Sequence, residues 1–208
     1  MKSEINIETW GRKDIFNFFK NFDEPFWGVC TNIDCTIAYK KAKEKNYSFF
    51  LYYLYMSLKA ANNINEFKYR IIGEKVFLFD VVNASPVINR ENGSFGFAYM
   101  DYYEDINTFM TNAKIEVQKV RSTTGLNTAI SNENVIHYSA IPWINFTSIS
   151  HARHFSYRDS IPKITFGKMV NDGTKKIMPV SIHVNHALVD GFHGGRYYEL
   201  FQNLLDEK

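Results

Sequence analysis

Apolar residues recur at helical spacing in four stretches of the chain. Ile15, Phe18, Phe19 and Phe22 predict a short early helix. Tyr47 to Asn63 predicts a stronger one, with Leu51, Leu54, Tyr55 and Leu58 on one face. Ile106, Phe109, Met110, Ala113, Val117 and Val120 mark a third. Tyr197, Leu200, Phe201, Leu204 and Leu205 mark the last.

Between them lie short β-like runs: "VCTNIDCTIA", "KVFLFDVV", "FGFAYMDY", "VIHYSAI", "WINFTSIS", "KITFGKM" and "KKIMPVSIHVNH". The turn "NDGT" between "KITFGKMV" and "KKIMPVSIHV" predicts a hairpin, because Asp-Gly supplies the backbone twist that closes one. Strand runs and helices do not alternate strictly. The pattern therefore predicts an α+β two-layer sandwich, helices packed on a large mixed or antiparallel sheet, and not a doubly wound fold. No linker, repeat or low-complexity block divides residues 1–208, so we expect a single domain.

The composition is that of a soluble globular chain: 45% hydrophobic, 22% charged and 16% aromatic. A net charge of +2 is too small to imply a nucleic acid or an anionic membrane as partner. The opening "MKSEINIETWGRKD" lacks the apolar region of a signal peptide, and no apolar run is long enough to span a bilayer; we expect a cytoplasmic protein. Cys30 and Cys35 fall at odd separation in a run that reads as one strand. They would then point to opposite faces, as core thiols and not as a disulfide or a shared metal site.

The chemistry is concentrated near the end, in "SIHVNHALVDGFHGGRYYELFQNLL" (181–205). Strand parity puts Val180, Ile182, Val184 and His186 on one face, with Ser181, His183 and Asn185 on the other. His183, His186, Asp190 and His193 could be a ligand set, but the first two cannot converge from a straight strand, so no metal is expected. His186 is open to two readings: a core histidine satisfied by backbone groups, or a base held at a strand end. Asp190 either orients that imidazole or caps the closing helix.

These residues resemble a known family. "HVNHALVDGFHGGR" is similar to the His-x-x-x-Asp-Gly signature of chloramphenicol acetyltransferases. "YSAIPWINFTS" (138–148) resembles their Ser-x-x-Pro-Trp-x-x-Phe segment, "TFGKM" (165–169) their Thr-x-x-Lys strand, and "TWGRKDIF" (9–16) their Trp-x-Arg helix start. The motifs stand in the family's order from Trp10 to about Leu205.

The resemblance implies a fold of the CoA-dependent acyltransferase type and transfer of acetyl from acetyl-CoA to a primary hydroxyl of chloramphenicol, the reaction of antibiotic resistance. His186 would be the general base, and Ser139 the hydrogen-bond donor to the tetrahedral oxyanion. Thr165 would assist there through water, and Asp190 would pair with Arg12 to hold the geometry. Phe19, Phe95 and Phe26, with Trp27, would line the acceptor pocket, and Lys168 would contact the coenzyme. Trp143 is expected to pack in the core behind Ser139, and His137, His151 and His154 to lie at the surface or in the pocket wall. The resemblance also implies a homotrimer whose site lies between subunits, the histidine of one facing the acceptor pocket of the next.

The match thins on the acceptor side. Asn185 replaces the histidine that usually precedes the catalytic one, and "ISHARHFSYRDS" (149–160) does not resemble the usual pocket wall. Two alternatives follow: a relative acting on a different small hydroxylated acceptor, or a non-catalytic binder of the same fold.

Overall fold

The structure is a computed structural model that describes residues 1–126, 133–156 and 158–207. The strands are β1 (Lys2–Glu4), β2 (Phe26–Asp34), β3 (Tyr69–Ile72), β4 (Lys75–Phe79), β5 (Asn83–Asn89), β6 (Phe95–Phe97), β7 (Val135–Ala140), β8 (Lys163–Phe166), β9 (Val170–Asp172) and β10 (Lys175–Asn185). The α-helices are α1 (Lys13–Phe19), α2 (Thr36–Glu44), α3 (Phe49–Asn62), α4 (Asn65–Lys68), α5 (Ile106–Arg121) and α6 (Gly191–Asp206).

The main sheet has seven strands in the order β2-β10-β8-β7-β5-β6, with β9 paired to β10. It is mixed. β7 runs parallel to both β5 and β8, while β10 is antiparallel to β2, β8 and β9. A second sheet of three strands, β1-β4-β3, stands apart. Helices packed on a mixed sheet is the α+β arrangement that the hydrophobic pattern predicts. The predicted hairpin forms between β9 and β10, where Gly173 takes a φ of +57° that a side-chain-bearing residue rarely adopts.

One face of the sheet is apolar and meets the helices. Ile136, Tyr138, Ile164, Phe166, Val180, Ile182 and Val184 join one buried cluster with Leu54 and Leu58 of α3 and Tyr197, Phe201 and Leu205 of α6. Within it Ser57 donates to the hydroxyl of Tyr138 at 3.1 Å and lies 2.7 Å from that of Tyr197. These polar tips are thereby paired where an unpaired hydroxyl would be costly. α3 is buried almost all round, since it is wedged between α2, α5 and α6.

Arg70 is 1% exposed and donates to the carbonyls of Phe67, Tyr69, Glu133 and Val135. It ties α4 and β3 to the start of β7. Burial pushes its guanidinium down to about 9, against the pull of Asp159 and Glu133.

Several expectations are corrected. In α1 the buried residue is Phe16, whereas Ile15 is 38%, Phe18 64% and Phe22 46% exposed. The helix is too short for its aromatic majority to decide which side faces in. Cys35 lies outside β2, at the start of α2, so strand parity does not relate it to Cys30; both are free thiols. "WINFTSIS" forms no strand, and Trp143 is 68% exposed instead of packed behind Ser139.

Candidate active site

The other face of the central strands is polar. Each carries a polar–apolar–polar triplet: His137-Tyr138-Ser139 on β7, Lys163-Ile164-Thr165 on β8, and Ser181-Ile182-His183 on β10. Pairing aligns them into two rows. Ser139 lies opposite Thr165, which lies opposite Ser181 and then Cys30; His137, Lys163, His183 and Gly28 form the second row. Directly paired residues share a face, so this register puts Ser139 and Thr165 side by side.

Thr165 is fully buried, and its Oγ1 lies 3.4 Å from Nε2 of His151. The ring of His151 meets that of His183 edge-on at 4.7 Å. His183 Nδ1 lies 3.3 Å from Ser181 Oγ, and its ring occupies the space above Gly28, where a Cβ would come within 2.4 Å of Nε2. Burial, with the nearby charge of Lys163, pushes His137 down to about 4. Burial followed by His183, Lys163 and Arg153 pushes His151 down to about 4, and burial also lowers His183. Lys163 itself pairs with Asp159. None of these contacts was foreseen. The repeated i, i+2 polar pairs in three strands were the signal that could have revealed them.

His186 follows β10, one residue past its end, its backbone N–H bound to the Pro25 carbonyl at 2.8 Å. Its imidazole is stacked on Phe19, centroids 4.1 Å apart and planes 4° from parallel, with Trp27 at 5.7 Å. Nδ1 is buried without a hydrogen-bond partner among the described residues, which leaves Nε2 as the nitrogen able to meet a substrate. Phe19 therefore supports the imidazole, in addition to any role in the pocket wall.

Asp190 caps α6, Oδ1 accepting the N–H of Phe192 at 3.1 Å, while Oδ2 receives Arg12 Nη1 at 2.8 Å. Nδ1 of His193 is 2.8 Å from Oδ1. Burial alone would raise this carboxyl, but the Arg12 hydrogen bond and the charges of His193 and Arg12 hold it below the usual range. α1 thus works as a strut. Arg12 at its start clamps the cap of α6, and Phe19 at its end clamps His186. Asn185 turns away and is engaged elsewhere, donating to the Asp159 carbonyl and accepting from the N–H of Ala187.

Within one chain His186 and Ser139 do not meet. Ser139 is in register with Ser181, whereas His186 lies five residues further along, about 17 Å at ~3.3 Å per residue. Phe95 sits on β6, at the far edge of the sheet from β10. The Phe26 ring is half-buried, with the Arg153 guanidinium 3.6 Å and the Lys163 ammonium 4.5 Å from its centroid. Lys168 is exposed just past β8, with no ion-pair partner among the described residues. Near the end of β7, a groove of about 520 Å³ between α3 and α5 is lined by Phe50, Tyr53, Lys114, Arg121, Ala140 and Pro142, among others. Among the described residues no helix is long and apolar enough to cross a membrane.

The sequence model of one family, described as chloramphenicol acetyltransferase, matches residues 2–202. Chloramphenicol acetyltransferase 3 of Escherichia coli is 28% identical over 210 residues, covering 99% of this chain and 98% of its own. The chloramphenicol acetyltransferase of Proteus mirabilis is 28% identical over 204 residues, covering 98% and 94%. A solved chloramphenicol acetyltransferase superposes with a TM-score of 0.92 at 32% identity, covering 99% of this chain and 100% of that one. A probable dihydrolipoamide acetyltransferase from Listeria monocytogenes, at 11% identity and a TM-score of 0.67, shares the fold. Motif order, mixed sheet and near-complete coverage agree: the chain belongs to the chloramphenicol acetyltransferase family of acetyl-CoA-dependent acetyltransferases.

Proposed function

We infer that the protein transfers acetyl from acetyl-CoA to a primary hydroxyl of chloramphenicol, and that residues 1–208 act as one domain in the cytoplasm. The observation that carries this reading is the pairing of Ser139 with Thr165 on a polar sheet face, together with a His186 imidazole stacked on Phe19 with its Nδ1 buried.

His186 Nε2 takes the proton of the acceptor hydroxyl as its oxygen bonds to the thioester carbon. The carbonyl electrons move onto oxygen, where the Ser139 hydroxyl donates to the developing charge, an interaction of about 3 kcal/mol in comparable sites. Thr165 supports the same centre through water. When the intermediate collapses the C–S bond breaks, and the proton on His186 passes to the departing thiolate. No covalent enzyme intermediate is required, since a thioester is already activated. The groove beside Ala140, with Lys114 and Arg121, together with Lys168, suits the anionic coenzyme.

The separation of His186 from Ser139 along the strands supports a site shared between copies. We expect a homotrimer in which His186 of one subunit faces Ser139 and Thr165 of the next. The test mixes two inactive variants, His186→Ala and Ser139→Ala, under conditions of subunit exchange. Random reassembly leaves both wild-type groups at about a quarter of the interfaces, so thiol release from acetyl-CoA with chloramphenicol should return to that level. No recovery despite demonstrated exchange would overturn the shared site. Absence of acceptor-dependent thiol release by the wild-type protein would overturn the proposed reaction.

A further inference from the structure

We propose that a cleft in the helical layer, between α2, α3 and the start of α5, binds an α-amino acid with an apolar side chain. The proposal does not depend on the transfer reaction.

The cleft has a volume of about 370 Å³, room for a small molecule. It is separate from the groove beside Ala140: α3 gives Tyr52, Tyr55, Met56 and Lys59 to the cleft, and Phe50, Leu51 and Tyr53 to the groove. Three phenols line it. Tyr55 donates to the Glu104 carbonyl at 2.6 Å, and Tyr47 donates to Asn107 Oδ1. Tyr52 is 1% exposed, and its hydroxyl has no hydrogen-bond partner among the described residues. Burial first, then Glu207 and Tyr47, pushes this phenol up to about 12, so it keeps its proton and remains a donor. A buried donor left unpaired is costly, and a bound carboxylate satisfies it with a charge-assisted bond.

The charges around the cleft are of both signs. Lys41, Lys45 and Lys59 line it together with Glu104, Asp105 and Glu207. Asp105 is engaged as the cap of α5, accepting the N–H of Thr108 at 2.8 Å and its hydroxyl at 2.7 Å. None of the three ammoniums pairs with a carboxylate among the described residues; Lys41 only approaches the backbone carbonyl of Glu207, at 3.4 Å. The Glu207 carboxylate is likewise unpaired among the described residues, and near enough to Tyr52 to act on its phenol. A plain anion bound here would be repelled by that carboxylate, and a plain cation by the lysines. A zwitterion with both charges on one carbon meets both. Its carboxylate accepts from Tyr52 and a lysine, and its ammonium lies against Glu207. Met56, Ile106 and the Tyr47 ring supply an apolar wall for its side chain.

Isothermal titration calorimetry on the full chain compares L-phenylalanine with 3-phenylpropanoate, which lacks the ammonium, and 2-phenylethylamine, which lacks the carboxylate. L-Phenylalanine should bind saturably, and each analogue at least about tenfold more weakly. Tyr52→Phe should lower the affinity for L-phenylalanine about tenfold. Its urea unfolding should be unchanged or shifted to higher urea, because the hydroxyl it removes is unpaired in the free protein. Glu207→Gln should weaken L-phenylalanine and leave 3-phenylpropanoate as it was.

Absence of saturable binding would overturn the proposal, as would equal affinity in folded Tyr52→Phe or an analogue that binds as tightly as L-phenylalanine. Displacement of L-phenylalanine by chloramphenicol or acetyl-CoA would place it in the transfer site and overturn the proposal as well.

Discussion

The imidazole of His186 lies flat on the ring of Phe19, planes 4° from parallel at 4.1 Å. A ring stacked this way can still slide, but it cannot tilt without losing the contact. With Nδ1 buried, the stack fixes the direction in which Nε2 points. Replacing Phe19 by Ala should lower kcat about tenfold, because a misaligned base is costly, while His186→Ala should abolish turnover. Steady-state kinetics on both variants, with circular dichroism to confirm the fold, checks this. An unchanged kcat in Phe19→Ala would remove the positioning role.

Ser139→Ala should lower kcat by about 10²–10³-fold. The KM for the acceptor should change little, because the lost hydrogen bond forms only as charge develops. Chemical denaturation should show little loss of stability, Ser139 being only partly buried at the end of β7.

The pair formed by Arg12 and Asp190 joins the first turn of α1 to the cap of α6 at 2.8 Å. Asp190→Ala removes the cap and leaves Arg12 unpaired, and should cost about 2 kcal/mol in urea unfolding. The carboxyl is held below its usual range in the folded chain, so its contribution is complete above the unfolded value near 3.8 and fades as the pH falls through the lower folded value. Asp190→Asn should flatten the stability curve in that acidic window.

His137 and His151 act in a second window. Both are pushed down to about 4 from an unfolded value of 6.5, by burial first and then by neighbouring positive charge. The unfolded chain therefore takes up these protons first. Stability should be full above about pH 6.5 and decline towards about pH 4. Urea midpoints across that range should fall less steeply for His137→Gln than for the wild type. A parallel curve would exclude the histidine as a cause.

Arg70→Met should destabilise the fold by about 3 kcal/mol, since four carbonyl groups at the junction of α4, β3 and β7 lose their donor. The activity of the remaining folded protein should be close to wild type, because Arg70 touches none of the proposed catalytic groups.

The hydrophobic pattern carried the long helices well. α5 and α6 each bury one stripe, and that stripe is visible as spacing: Phe109, Met110 and Ala113 in one, Tyr197, Phe201 and Leu205 in the other. It failed where local sequence does not reveal which side faces in. α1 carries three aromatic residues in seven positions, and spacing alone does not show that Phe16 is buried and Phe19 half-buried on His186 while Phe18 is exposed. α2 was hidden because Cys35 extends an apolar strand run, although the helix starts beside it. β5 escaped notice because Pro86 and flanking asparagines dilute its pattern, which a mixed sheet tolerates when neighbours supply the remaining bonds.

The candidate residues themselves came from motif resemblance. Their spatial relation came from register, which a single sequence does not print. The pairing of Ser139 with Thr165 and the partnership of Arg12 with Asp190 span 26 and 178 positions respectively. The edge contact between His151 and His183 depends on a segment without regular structure, where no periodicity operates.

The distance along β10 between the row of Ser139 and the imidazole has a kinetic meaning. On the proposed sharing of the site between copies, a lone molecule would be silent, however well folded. Its specific activity should therefore fall on dilution with no spectroscopic sign of melting. On the same proposal, a cell making too few copies would own intact protein and no enzyme.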